Sequence, residues 1–431
     1  MQIQSSIPGR LDYNPSPHLS NPAELNHIMT FVEIIFPIQY GSYTCSVKTD
    51  RSWIFHTLIS TESFYQATTA VNTNFKARIH DTNPRDSPHT SPAELISNTQ
   101  LHQSKALLGL NQLISNLAAG EYQGRELLSK GMQALAIMTE LISLEVLYFL
   151  DGSTWEVHLR ASRTILGLFQ HQWMPEMFTR SVPCCSLQDS DDMDFKALEF
   201  FIISFMWVDI IANATLGPPR FDPSHFDYLP LLKRGVFMSE RVMGCKSVIL
   251  IAITEITGLE RWKEEQLREG CLSMIELVSR GTALNHLLIQ EISASEKGIR
   301  DGGSGVKVDG IRVNLMFAYG ALIYLHTVIS GKSPQIPEVK NNVEKCLEWI
   351  EELPSRLLIR ICWPFTIVGC MATEEQYEKF RRVFKSVTKS GSVWKGVMVM
   401  EECWKLRNLE REKMWCWRST MERMGLRILL F

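Results

Sequence analysis

The residue types that could do chemistry gather in a few places. Asp189, Asp191, Asp192 and Asp194 fall in DSDDMD, where carboxylates could hold a divalent cation. As a calcium loop the run lacks the turn glycine and a glutamate at the twelfth position, so it reads as a solvated loop. Cys362 and Cys370 stand in ICWPFTIVGCMA, eight apart. That spacing fits no paired-ligand pattern, and Pro364 is expected to interrupt any helix carrying both. SGKS, Ser330 to Ser333, echoes the end of a phosphate loop, but the required first glycine falls at His326 and no strand precedes it. Neither His-Glu-x-x-His nor Gly-x-Ser-x-Gly occurs.

Two carboxylates sit inside apolar runs: Glu145 in LISLEVLYF and Asp209 in FMWVDIIANATLG. Carboxylates are almost never buried without a partner. Each is expected to meet His158, Arg160 or Arg163 across a helix turn, as a structural polar contact or as part of a ligand-sensing pocket. His158 reads as a packed or surface histidine, because nothing in the sequence ties an acid or nucleophile to it. From Thr373 onward the chain has 13 Lys/Arg against 8 Asp/Glu, interleaved with aromatics. Leu406, Leu409, Trp417, Met421 and Met424 follow helical spacing, which predicts one amphipathic packing helix instead of a nucleic-acid stripe. No catalytic, cofactor-binding or metal-binding residue is assigned, no cofactor is expected, and the chain is not expected to be an enzyme.

The elements that must position these residues read as helices. Leu135, Met138, Ile142, Val146 and Phe149 recur at steps of three and four. Leu267, Cys271, Met274 or Ile275, and Val278 predict a second buried face, with Gly281 as its stop. Ser91, Pro92 and Glu94 form a helix start, with Ser91 as N-cap. Pro364 suits a first helical turn, and the apolar FTIVGCMA after it predicts a fully buried helix. Gly369 there implies a close neighbouring backbone. Alternating runs are scarce, Asn-Gly turns are absent and no fixed-period repeat is found. The predicted fold class is all-α: a single large multi-helix array with no significant β-sheet.

Residues 1–23, rich in Pro, Ser and Asn, are expected to be a disordered tail, and 24–431 a helical domain with flexible loops near 72–95, 183–194 and 295–310. The net charge of −3 makes the whole molecule no trap for nucleic acid or acidic membranes. The first residues have no signal-peptide pattern, and the ten cysteines are expected to be thiols in a reducing, intracellular setting. The most apolar run, Phe200 to Val208, is shorter than a span, so no membrane segment is expected.

Taken in order, several segments resemble the regulatory domain of fungal-specific transcription factors. They are FVEIIFPIQY; SWIFHTLISTESFYQATTA; the run to RTIL with Glu145, Trp155, His158 and Leu159; and FFIISFMWVDIIANATLGPPRFD with Asp209 and the Gly217-Pro218-Pro219 turn. FAYGALIYLHTVISGKSPQIPEV, SVWKGVMVMEECWKLR and the final GLRILLF extend the likeness. WPFTIVGCMATEEQYEKF is the most specific piece, with Trp363, Pro364, Gly369, Cys370, Ala372 and Gln376. The likeness covers about residues 24–431. It implies a transcription-regulator-like protein with an effector-sensing and protein-interaction role. It also implies nuclear residence, the cytoplasm otherwise. The partners it implies are transcriptional machinery or other regulators, a small-molecule effector, or a second copy in a homodimer. Members of this family usually carry an N-terminal binuclear zinc cluster of six cysteines beginning Cys-x-x-Cys. No Cys-x-x-Cys occurs here and the first cysteine is Cys45, which argues against direct DNA binding by these residues. The alternatives are a helical enzyme with an apolar cavity, of terpene-cyclase type, or a non-catalytic scaffold or remnant. Such cyclases carry Asp-Asp-x-x-Asp on a helix, a spacing that Asp191-Asp192-Met193-Asp194 breaks.

Overall fold

The computed structural model describes residues 21–41, 43, 51–82, 91–148, 154–172, 193–217, 226–301, 306–385 and 391–430. Among them every regular element is a helix and no strand occurs, so the chain is all-α. The helices are α1 Pro22–Thr30, α2 Phe36–Gln39, α3 Ser52–Ser60, α4 Glu62–Thr82, α5 Pro92–Ala118, α6 Gly124–Tyr148 and α7 Trp155–Gln172. They continue with α8 Met193–Leu216, α9 Leu229–Lys233, α10 Ser247–Glu269, α11 Met274–Arg300 and α12 Val306–Ser330. The last are α13 Pro337–Glu351, α14 Cys362–Cys370, α15 Tyr377–Phe384, α16 Gly391–Leu409 and α17 Trp417–Arg423. A π turn over Phe31–Ile35 joins α1 to α2.

Local chemistry sets the boundaries. Asn21 accepts from the Ala23 N–H at 3.0 Å and Pro22 opens α1. The Ser91 hydroxyl accepts from the Glu94 N–H at 3.2 Å with Pro92 next, the start read from the sequence. Gly270, at φ +72°, ends α10.

The centre consists of α6, α8, α12 and α14. Helix α8 packs on α3, α6, α7 and α10, and α12 packs on α10, α11, α13 and α14. All nine residues of α14 are buried, including Trp363, Pro364 and both cysteines. A run of ring contacts crosses this centre. Trp207 meets Phe317 at 4.7 Å, Phe317 stacks on Trp363 at 5.8 Å, and Tyr324 lies edge-on to Trp363 and Trp417. Two windows, Gly124–Val146 and Val308–Ser330, are long and apolar enough to cross a membrane by length and composition. They are 78% and 83% buried against the rest of the fold, as core helices are.

Several expectations need correction. Helix occupies 72–82 and 92–95 of the expected 72–95 loop, and 295–300 and 306–310 of the expected 295–310 linker. Packing of α4 on α5 and of α11 on α12 overrides the local polarity. Of the 183–194 loop, Met193 and Asp194 already belong to α8, and 183–192 lie outside the described residues, as do 1–20 and Phe149. Pro364 does not separate Cys362 from Cys370. It sits in the first turn of α14, where an N–H is not needed, so one helix carries both. Gly281 is no stop: it lies inside α11, where a Cβ would fall 2.3 Å from Ile329. Leu267, Cys271, Met274, Ile275 and Val278 form no buried face, since Gly270 breaks the helix among them and all five are exposed. The C-terminal amphipathic helix is two helices: α16 ends at Leu409, which is exposed, and α17 begins at Trp417.

Candidate effector cleft

Asp209 and Arg163 come from neighbouring core helices. Asp209 faces inward from α8 and is 1% exposed, and Arg163 reaches it from α7. Arg163 Nε donates to Asp209 Oδ1 at 2.6 Å, Tyr228 Oη donates to Oδ2 at 2.7 Å and Asn213 Nδ2 donates to Oδ2 at 3.2 Å. Of the three partners named from sequence, Arg163 is the one bonded. Burial first, then the Asp209 charge, pushes the Tyr228 phenol well above its ordinary range, so it stays a donor.

A second buried network lies one turn along. Arg418 of α17 places Nη1 2.5 Å from Glu260 Oε1 of α10. Its Nη2 donates to the Ala214 carbonyl at 2.7 Å and to Tyr324 Oη at 2.9 Å, and its Nε donates to the Thr215 carbonyl at 3.1 Å. Tyr324 Oη in turn donates to Glu260 Oε2 at 2.5 Å. The guanidinium thereby satisfies the last carbonyls of α8, where the helix dipole favours a cation. Burial alone would raise the Glu260 carboxyl, but the charge and hydrogen bonds of Arg418 outweigh it and hold the group below its ordinary value. Sequence spacing could not link Arg418 to Glu260, and both went unassigned there.

Glu145 meets His158 as anticipated, with Oε1 3.8 Å from Nε2, and it accepts from the Thr154 hydroxyl. Proximity alone would make this an ion pair. Burial, however, pushes the imidazole down to about 4 and the carboxyl up, so the contact is polar packing between groups held toward neutrality. Glu140, one turn earlier on α6, takes a hydrogen bond from Gln39 Nε2 at 3.2 Å, and burial pushes its carboxyl up to about 7.

The remaining candidates do not converge. Cys362 and Cys370 stand at opposite ends of α14, Cys370 beside Cys403. No metal-competent group of three or more His, Cys, Asp or Glu occurs among the described residues. Asp194 lies 3.7 Å from His56, while Asp189, Asp191 and Asp192 fall outside the described residues. The C-terminal cations serve the fold. Arg407 bonds the Trp415 carbonyl at 2.6 Å, and Arg381 binds both oxygens of Glu401 at 2.9 Å.

Two cavities adjoin this machinery. One, of about 40 Å³, is lined by Gln39, Trp207, Phe317 and Arg360. It can take water but not an organic ligand. The other is an open cleft of about 490 Å³ along the outer face of α10, between α11 and the α8–α9 edge. That volume suits a small organic molecule. Asn213 and Tyr228 bring the Asp209 network to its wall, and Thr257 lies one turn from Glu260 in the Arg418 network. Ile210, Leu229, Leu259, Ala283 and Leu284 give it apolar walls. The cleft thus lies beside two buried polar networks that tie the core helices together.

The family model described as "Fungal specific transcription factor domain" matches residues 26–431. The chain belongs to this family. A trichothecene biosynthesis transcription regulator of Fusarium sporotrichioides is 27% identical over 95% of this chain and 98% of its own length. Its counterpart in Trichoderma arundinaceum is 26% identical over 96% and 99%. The ustiloxin B cluster transcription factor of Aspergillus flavus is 24% identical over 94% of this chain and 72% of its own length. No solved structure matches. These relatives are transcription regulators, and they favour the regulator reading over the helical-enzyme alternative.

Proposed function

We propose that this chain is the regulatory body of a transcription regulator that sets the expression of genes for one biosynthetic pathway. The observation that carries the reading is the end-to-end likeness to a trichothecene biosynthesis transcription regulator, over 95% of this chain and 98% of that protein. The residues here supply docking and sensing. Promoter recognition falls to a partner or to a segment beyond them, because a thiolate-bridged zinc cluster needs a Cys-x-x-Cys that these residues lack. The working location is the nucleus, by kinship with those regulators.

The output is a shift between helix packings, which an effector drives only if it prefers one of them. The cleft along α10 supports that role, since its wall shares Asn213 and Tyr228 with the ties that hold α8. Deleting the gene and sequencing the transcripts tests the proposal, together with chromatin immunoprecipitation of the tagged full chain. A coordinated fall or rise in one contiguous set of biosynthetic genes, with the protein at their promoters, is expected. Unchanged transcripts and absence from nuclei would sink it.

A further inference from the structure

The cleft along α10 has two features that packing does not explain. Several helical glycines make room for a neighbour: a Cβ on Gly320 would fall 2.7 Å from Pro364, and one on Gly396 would fall 2.2 Å from Thr366. At Gly258, in the middle of α10, an added Cβ would meet no heavy atom within 4 Å; Gly310, in the second turn of α12, is equally open but lines no cleft. A mid-helix glycine lowers helix stability relative to alanine, so a glycine with no neighbour is a cost without a structural return. Gly258 lines the cleft, and the space above it belongs to the cleft.

The second feature is charge. Three charged side chains line the cleft: Glu255, Arg261 and Arg280. Glu255 is paired with Lys233 at 2.6 Å, and Arg280 with Glu276 at 2.6 Å while lying over the Trp262 ring. Arg261, one turn along the same helix face from Gly258, has no carboxylate within 4 Å among the described residues. The lining and its direct partners therefore carry one uncompensated positive charge, beside hydroxyl and amide groups and an apolar wall.

We infer that this cleft binds a small amphipathic organic anion, its apolar body over Gly258 and its carboxylate or sulfonate on Arg261. The inference rests on the regulatory reading above and names the class of effector. A charge-assisted contact at a partly solvated site changes affinity by about tenfold and weakens as salt rises.

The test compares two fluorescent probes that share an apolar body, 1-anilinonaphthalene-8-sulfonate and its uncharged relative N-phenyl-1-naphthylamine, on the purified full chain. The expected result is sulfonate binding about tenfold tighter than that of the neutral probe at low salt. Arg261→Gln, at an exposed position, should remove that preference and leave the neutral probe unaffected. Gly258→Trp, which points into open space, should weaken both, with circular dichroism confirming the fold. Equal binding of the two probes, sulfonate binding unaffected by Arg261→Gln, binding unaffected by Gly258→Trp, or no binding at all would each overturn the inference. These outcomes leave the transcript test untouched: a chain that controls its genes without binding such anions refutes the ligand class alone.

Discussion

Arg418 and Glu260, 158 residues apart in the chain, meet at 2.5 Å beneath the C-terminal end of α8. Arg418 also holds the Ala214 and Thr215 carbonyls, so one guanidinium joins α8, α10, α12 and α17. Replacing it with methionine keeps the length but takes the cation from a buried carboxylate, which keeps the Tyr324 hydroxyl, and removes one donor each from the Ala214 and Thr215 carbonyls, the latter keeping Trp417 Nε1. Arg418→Met should cost about 3–5 kcal/mol, read from denaturant midpoints. Acid behaviour gives a second reading. The folded Glu260 carboxyl is held below its ordinary value, so its contribution is complete above that value and is lost as pH falls through the depressed one. In Arg418→Met that loss of stability on acidification should vanish. A variant within 1 kcal/mol of the parent would show the tie to be ornamental.

Three glycines separate space that is used from space that is open. Gly320→Ala would set a Cβ 2.7 Å from Pro364 Cβ and 3.0 Å from its Cα, in contacts that backbone holds fixed. It should destabilise by about 2–3 kcal/mol. Gly369→Ala would meet the Met400 sulfur, which is the movable part of a flexible side chain, so it should cost less. Gly258→Ala meets nothing and should stabilise by about 0.5–1 kcal/mol. Thermal unfolding of the three variants gives the order, and a destabilising Gly258→Ala would refute the open space assigned to the cleft.

The all-α class was legible because long periodic stretches and the Ser91-Pro92 and Pro364 helix starts say the same thing locally. Asp209 was legible as a buried anion needing a cation because a carboxylate inside FMWVDIIANATLG has nowhere polar to go. The Arg418–Glu260 tie was not, since it depends on α17 folding back under α8. Gly369 was read as facing a neighbouring backbone, whereas the atom it spares is the Met400 side chain. Polar runs misled where tertiary contact decides: Asn72–Thr82 is helical because α4 is clasped by α5. The apolar spacing of Leu267 to Val278 misled in the opposite direction, because Gly270 resets the phase between two helices.

That phase error yields a direct test. Ile275 is 86% exposed at the start of α11, while its neighbour Leu277 is fully buried. Leu277→Ala should cost about 2–5 kcal/mol, and Ile275→Ala should stay within about 0.5 kcal/mol. The face predicted from spacing alone demands the reverse. Equilibrium unfolding of the two variants decides between them, and a large effect at Ile275 would mean that α11 is rotated about its axis.

Glu140 supplies a pH dependence of opposite sign to that of Glu260. It is 1% exposed, it accepts a hydrogen bond from the Gln39 amide, and burial raises its carboxyl from 4.5 to about 7. Between those values the folded chain keeps a proton that the unfolded chain has released. The folded state therefore loses stability as pH rises through this window, because ionisation stabilises the unfolded chain while the buried carboxyl stays protonated. Glutamine has the same shape and no charge to bury, and its carbonyl can accept from Gln39. Glu140→Gln should match the parent near pH 4.5 and exceed it by about 1–3 kcal/mol at pH 8, with most of the gain appearing between pH 5 and about 7. Urea titrations at three pH values measure it. A gain of equal size at every pH would assign the effect to packing, and a loss at pH 8 would mean that the Glu140 charge is compensated in the fold.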